Sequence, residues 1–350
     1  MQKYYTRACN FYYNKISREK VKKKISLPVS GNKSLSFDTI EIITRTNKKK
    51  INIRSIKNLP SKIKKKVLID INNISKPKKF PKLKFDNLPI FMGVLNITPD
   101  SFSDGGKFIE KSSAKKQINK LIVDGAKIID VGGESTRPGS KEILQTNEWL
   151  RIREVMSYLK SKNFFVSLDT RKSFVMKKAS KYKLDLINDV SGLSYDSEVI
   201  NFLKKTKLPF VLHHMKGNTE TMQKNPSYNN VLLDIYDFFE EKLRLIRESG
   251  IVHNHIILDP GIGFGKNMKH NITLINNVSI FHSLGLPVML GISRKRFIKD
   301  ISGNNDSKER IGGTVSSSIF SMLQGVQILR IHDVNEVNQG IKVYKKLNFN

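Results

Sequence analysis

Eight short apolar runs between residues 91 and 333 each end in polar or ionisable residues. In order the ends read Asn96-Ile97-Thr98, Gly133-Glu134-Ser135-Thr136-Arg137-Pro138, Asp169-Thr170-Arg171 and Asn188-Asp189. They continue with His213-His214-Met215, Asp259-Pro260-Gly261, Ser293-Arg294-Lys295-Arg296 and Arg330-Ile331-His332-Asp333. Asp169, Asn188, Asp259 and Lys295 are two carboxylates, a carboxamide and an amine, a set suited to a flat heterocycle rich in N–H donors and acceptors. Asn96, Arg330 and His332, on the first and last runs, suit phosphate oxygens and a hard cation such as Mg²⁺. An organic ring beside a diphosphate is the substrate these residue types imply.

Other motifs are weaker. Asp259 to Lys266 holds alternating glycines and a lysine, but a P-loop needs Gly at 260 and Ser or Thr at 267, where Pro260 and Asn267 stand. His253-x-His255 precedes the sixth run and reads as structural. Of His213 and His214, one is expected to face the interior and one the helix layer, with catalysis assigned to neither. Met215 fits either packing against a substrate ring or an ordinary core. Asp189 either orients Asn188 or caps the following helix.

The elements that must carry these residues alternate regularly. Strands are expected at 91–98, 127–133, 164–170, 186–192, 210–215, 256–261, 287–293 and 327–333. Segments of helical length lie between them, such as 230–248 and 308–323, with a last helix at 334–347. Strand–helix alternation implies parallel strands with crossover helices, and eight units fit an α/β, (β/α)₈ TIM barrel. An open doubly wound sheet is the alternative. In a barrel the chemistry gathers at the C-terminal strand ends, where the polar clusters fall.

Residues 1–88 read as a separate, small, basic N-terminal extension before a barrel at 89–350. Partial alternation at 37–45 and 51–53 predicts a hairpin turning at 46–50, and the prolines at 77, 81 and 89 mark a linker. Residues 1–90 carry 24 Lys and Arg against 5 Asp and Glu, a net +19 of the chain's +31. Clustered lysine can neutralise phosphates. Only 14 of the 62 basic residues are Arg, however, and no aromatics interleave the lysine runs, so nucleic acid is not the expected partner. The single cysteine, Cys9, excludes an internal disulfide framework. No apolar run is long enough to span a membrane and the N-terminus lacks a signal-peptide core, so a cytoplasmic protein is expected.

The residues from Met92 to Gly106 (MGVLNITPDSFSDGG) and from Asp130 to Gly139 (DVGGESTRPG) closely resemble the two signatures of the dihydropteroate synthase family of pterin-binding enzymes. The likeness continues through Leu168-Asp169-Thr170, Ile187-Asn188-Asp189, His214-Met215, the 259–266 stretch, Ser293-Arg294-Lys295 and Arg330-Ile331-His332-Asp333, over about residues 90–345. A methyltetrahydrofolate-dependent methyltransferase shares such a barrel but would lack the Asn96 signature and the Arg330-x-His332 pair.

The resemblance implies condensation of 6-hydroxymethyl-7,8-dihydropterin diphosphate with p-aminobenzoate, giving 7,8-dihydropteroate and diphosphate. It places the pterin at Asp169, Asn188, Met215, Asp259, Gly263 and Lys295, and the diphosphate at Asn96, Arg330 and His332, with Asn96 on Mg²⁺. It implies p-aminobenzoate at Thr136, Arg137, Pro138, Phe264 and Arg296. Asp104, Arg137, Lys295, Arg330 and His332 would carry catalysis, the first two from loops that close over the site. Arg296 stands where small Ser also occurs in the family, so the resemblance does not by itself imply sulfonamide sensitivity. Family members usually form homodimers.

Overall fold

The computed structural model describes residues 2–85, 87–97, 107–136, 139–218 and 221–348. An N-terminal unit contains β1 (Tyr5–Tyr13), α1 (Asn14–Lys22), β2 (Leu27–Val29), β3 (Asn32–Ile43), β4 (Lys48–Asn52) and α2 (Ser61–Ser75). The barrel strands are β5 (Ile90–Asn96), β6 (Ile128–Gly132), β7 (Phe165–Asp169), β8 (Leu186–Asp189), β9 (Phe210–His213), β10 (Ile256–Asp259), β11 (Met289–Leu290) and β12 (Ile328–Ile331). Around them lie α3 (Lys107–Val123), α4 (Gln145–Lys160), α5 (Ser173–Ala179), α6 (Glu198–Thr206), α7 (Val231–Glu248) and α8 (Met268–Asn276). Two helices, α9 (Arg296–Ser302) and α10 (Ile311–Leu323), follow β11, and α11 (Val334–Asn348) ends the chain.

The eight strands pair in parallel in the order β10-β9-β8-β7-β6-β5-β12-β11. A bridge from Leu258 to Val288 joins the two ends and closes the barrel. Strand β11 is shorter than the apolar pattern predicts. Pro287 has no N–H to give the ladder, and only its carbonyl serves, accepting from Leu258 N at 2.9 Å.

Alternation sorts each strand. Ile129, Val131, Leu168 and Leu212 face the helices in the main core, while Met92, Ile128, Leu186, Val211 and Ile328 face inward. Both faces are buried, which is why the strands read as nearly continuous apolar runs. Phe80 and Phe85, from the segment expected to be a linker, join the inward residues at the strands' N-terminal ends and plug that end of the barrel.

The N-terminal unit holds more structure than its sequence pattern predicts. The expected hairpin is the β3–β4 pair, but β1 and β2 also bond to β3 in an antiparallel sheet. Helix α2 covers that sheet through Val67, Ile71 and Ile74. Asp70, 1% exposed, accepts from Thr6 Oγ1 at 2.7 Å and pairs with Lys66 at 2.7 Å, pinning α2 to β1. Strand β1 escapes pattern reading because Thr6, Arg7 and Asn10 interrupt its apolar positions.

This unit docks on the barrel. Tyr5 is fully buried, meets Tyr236 of α7 edge to face at 5.1 Å between centroids and donates to Asp237 at 2.9 Å. Arg45 pairs with Asp234 at 2.8 Å and Asp237 at 2.5 Å. Ser279 Oγ donates to the Ala8 carbonyl at 3.0 Å, and Gln327 Nε2 to Ser30 Oγ at 3.0 Å. Several of the surplus cations therefore have specific carboxylate partners on the barrel.

Candidate active site

Inward alternation on β6 brings Asp130 into the barrel between Ile128 and Gly132, on the register row of Ser167 of β7. One row higher, Gly132, Asp169 and Asn188 stand side by side on β6, β7 and β8, and Asn96 stands beside Gly132 on β5. A Cβ on Gly132 would lie 3.3 Å from Asn96 Oδ1 and 3.4 Å from the Asp169 Cβ, so the bare glycine keeps space open between them.

Arg330 on β12 reaches across this floor. Its Nε donates to Asp130 Oδ2 and its Nη2 to Asp169 Oδ2, each at 2.6 Å, and Asn188 Nδ2 donates to the same Asp130 oxygen at 3.0 Å. Among the described residues, the other oxygens, Asp130 Oδ1, Asp169 Oδ1 and Asn188 Oδ1, are buried acceptors with no hydrogen-bond partner. Unmet buried acceptors are costly, so a convergent set marks a place for N–H donors.

Asp259 is buried at the end of β10 and accepts from the Gly261 N–H at 2.8 Å. Burial pushes its pKa up to about 6, against the opposing pull of that N–H and of Lys295, Arg330 and Lys266. Burial, seconded by the Arg330 charge, pushes Lys295 down to about 8, with Asp259 and Asp169 opposing. Burial also raises Asp169, which Arg330 counters. These are groups poised to change charge near neutrality, as functional sites require.

The wall beyond Asp259 is apolar. Phe264 clusters with Val190, Met222 and the half-buried Met215, and Lys295 Nζ lies 4.1 Å from the Phe264 ring centroid. Met215 thus belongs to the mouth's lining and not to the main core. Gly263 has φ of +83°, and a Cβ there would stand 3.1 Å from Lys295 Cδ. His213 points toward this wall, its ring 4.6 Å from that of Phe264 with Nδ1 against the Val190 carbonyl. His214 packs on Phe238 of α7 in the helix layer.

The remaining expected residues are distributed around this centre. His332 N donates to Ser293 Oγ at 3.2 Å and its Nδ1 lies 3.1 Å from the same oxygen. Thr136 is half-buried at the edge of the second loop. Arg296, whose side chain is 74% exposed, turns to Asp300 at 3.6 Å, away from the Phe264 cluster. Arg294 pairs with Asp333, leaving Lys295 as the member of the basic triplet that enters the mouth. Asp189 accepts from Ser191 N and Oγ and from Leu193 N, so it holds the loop after β8 and does not orient Asn188. Asp104, Arg137 and Pro138 lie outside the described residues.

Two groups escaped sequence reasoning. Asp130 was visible only as an acid inside an otherwise apolar run. A second is the buried network behind the loop after β6: Lys172 pairs with Glu134 and Glu148 at 2.9 Å each, and Arg171 Nε with Glu134 at 3.2 Å. Its members are spread from 134 to 172 and carry no shared spacing.

Among the described residues, no group of three or more His, Cys, Asp or Glu is arranged to hold a metal. Asn96 Oδ1 offers one hard oxygen beside the open space at Gly132. That donor set fits Mg²⁺ bound chiefly through substrate phosphate oxygens and water, as is common for that ion.

A closed parallel barrel with buried acceptors, carboxylates and a lysine at its C-terminal mouth is a pocket for a nitrogen-rich heterocycle. Residues 92–332 match the family model described as "Pterin binding enzyme", and the chain belongs to that family. The dihydropteroate synthase of Escherichia coli K12 is 39% identical over 256 residues, covering 73% of this chain and 90% of that protein. That of Synechocystis is 38% identical over 253 residues, covering 72% and 88%. A Xanthomonas albilineans dihydropteroate synthase solved with 4-aminobenzoic acid superposes with a TM-score of 0.71 at 32% identity, covering 77% and 96%. The activity is accordingly the condensation of 6-hydroxymethyl-7,8-dihydropterin diphosphate with p-aminobenzoate, a step of folate biosynthesis.

Proposed function

We propose that the mouth divides this reaction among three groups of residues. The observation that carries this reading is the set of unpartnered buried acceptors on Asp130, Asp169 and Asn188, with Lys295 close enough to feel the charges of Asp169 and Asp259. The pterin ring presents its N–H groups to those acceptors, its guanidine-like edge pairs with Asp259, and Lys295 donates to a ring acceptor. Met215 and Gly263 complete this pocket, one by packing and one by leaving room.

The diphosphate lies at Asn96, Arg330 and His332. Arg330 Nη1 is not used by Asp130 or Asp169 and can meet a phosphate oxygen. Mg²⁺, held through Asn96 and the diphosphate, would neutralise charge on the leaving group. The bond from the pterin methylene carbon to the bridging oxygen breaks, with the electron pair leaving on diphosphate. The carboxylates below the ring stabilise the cation that develops. The amine lone pair of p-aminobenzoate then forms the C–N bond, and the nitrogen loses a proton. No side-chain nucleophile is needed.

p-Aminobenzoate stacks by Phe264 near Thr136; the resemblance assigns Arg137, Pro138 and Arg296 to the same substrate, Arg296 although its side chain turns to Asp300, and Asp104 and Arg137 to the closing loops. Solved relatives with 4-aminobenzoic acid and with 7,8-dihydropteroate support this assignment. The protein is proposed to be a cytoplasmic homodimer. No helix among the described residues is long and apolar enough to cross a membrane, and Ile301, Phe320 and Val343 expose large apolar side chains on α9, α10 and α11. The test is formation of dihydropteroate from the two substrates, with and without Mg²⁺. No product from folded protein, or equal rates with the ion chelated, would overturn the corresponding part.

A further inference from the structure

The loop after β10 ends in a lysine that the substrate pocket does not use. Lys266 is 2% exposed. Its Nζ lies 2.9 Å from the Phe264 carbonyl, 3.0 Å from His214 Nδ1 and 3.4 Å from the His214 carbonyl. Burial pushes the Lys266 pKa well down, and the head group meets its three polar neighbours without a carboxylate. The three bonds tie the end of β9 to the loop leaving its neighbour β10.

That loop is pressed hard against β9. Gly261 and Gly265 have φ of +70° and +63°, and a Cβ on either would lie 2.0 Å from the His214 carbonyl or 2.5 Å from that of Lys216. Tyr228 closes the outer side, its hydroxyl donating to the Gly265 carbonyl at 2.9 Å. Phe264 is thereby presented with its ring on the His213 ring and beneath the Lys295 ammonium. Glycines let the loop approach; Gln223 and Asn271 hold it at Gly263 and Tyr228 at Gly265, and among the described residues Lys266 alone ties the Phe264 carbonyl to His214.

We propose that Lys266 is a positioning residue for the aryl-amine substrate: its buried head group clamps the 261–266 loop to the chain just past β9 and so sets the Phe264 wall against which that flat ring docks. The proposal rests on the assignment of Phe264 to p-aminobenzoate made above. Of the pterin pocket only Gly263 lies within this loop, while Asp130, Asp169, Asn188 and Asp259 stand on strands and Lys295 just before α9, so that pocket depends on the clamp less.

The test combines loop hydrogen exchange with steady-state kinetics on Lys266→Met, Lys266→Gln and Tyr228→Phe, with melting curves as a check on folding. In Lys266→Met the amides of Gly261 to Gly265 should exchange about tenfold faster while the barrel strands keep their protection. The KM for p-aminobenzoate should rise about tenfold with that for the pterin diphosphate changed less than about twofold. Lys266→Gln, which keeps two N–H donors, should fall between Met and wild type. Tyr228→Phe, at a half-exposed position that tolerates the change, should shift both readouts the same way by less. Unchanged loop exchange, or equal rises in both KM values, would overturn the clamp. Exchange as expected in a wild-type protein that makes no dihydropteroate would instead overturn the functional assignment and leave the clamp standing.

Discussion

Arg330 Nε stands 2.6 Å from Asp130 Oδ2, joining the eighth barrel strand to the second at a carboxylate that is fully buried. The pair ties the proposed diphosphate region to the floor of the pterin pocket. A charge built into one substrate's site therefore also organises the other's.

Asp130→Asn should show this coupling. Loss of the charge leaves Arg330 with Asp169 alone, and breaking a buried pair typically costs about 3 to 5 kcal/mol. Turnover should fall about a hundredfold or more, with a lowered melting temperature. Wild-type kinetics in this variant would remove Asp130 from the site.

Lys295→Ala and Arg330→Ala should each reduce kcat/KM by about a hundredfold or more while the barrel stays folded. Far-ultraviolet circular dichroism with initial rates separates the two effects. Wild-type rates in either variant would show that the pocket is misplaced.

The pH profile of pterin binding follows from Asp259 and Lys295, the two groups proposed to bond the ring in one charge state only. Asp259, raised to about 6, accepts from the pterin edge only when ionised, so binding weakens as pH falls through that value. Lys295, lowered to about 8, is a cation only below it, so binding weakens as pH rises through that value. The kcat/KM for the pterin diphosphate should therefore be bell-shaped, with limbs near about 6 and 8. In Asp259→Asn the acid limb should flatten; an unaltered limb would assign it elsewhere.

The N-terminal unit should be needed for stability. Tyr5→Ala removes a fully buried ring that meets Tyr236 and Asp237, a change that typically costs about 3 to 5 kcal/mol. The fragment 88–350 should melt lower than the full chain and bind more hydrophobic dye, because Tyr236 and the 278–284 segment, on which β1 and α2 pack, would lose their cover. Equal melting temperatures would show that the barrel stands without it.

The barrel was legible because parallel strands buried on both faces leave short apolar runs that alternate with segments of helical length, each run ending in chemistry-bearing residues such as Asp169 and Lys295. The N-terminal unit was legible only in its hairpin. Strand β1 finds its partner some thirty residues away in β3, and a pattern confined to a local window does not register such pairing.

The residue types at the eight strand ends determined by themselves which chemistry this chain can perform, since charge, donor count and order along the chain are local properties. Only tertiary structure decided which of those residues meet. Strand register set Asp130, Asp169 and Asn188 around one space and brought Arg330 across to them. The backbone of the 259–266 loop turned Lys266 outward to hold Phe264, while Lys295 turned in and Arg296 to the surface. Those orientations depend on contacts between segments that lie from 52 residues apart, as for Lys266 and His214, to 200 apart, as for Arg330 and Asp130, and such pairings carry no signature in sequence spacing.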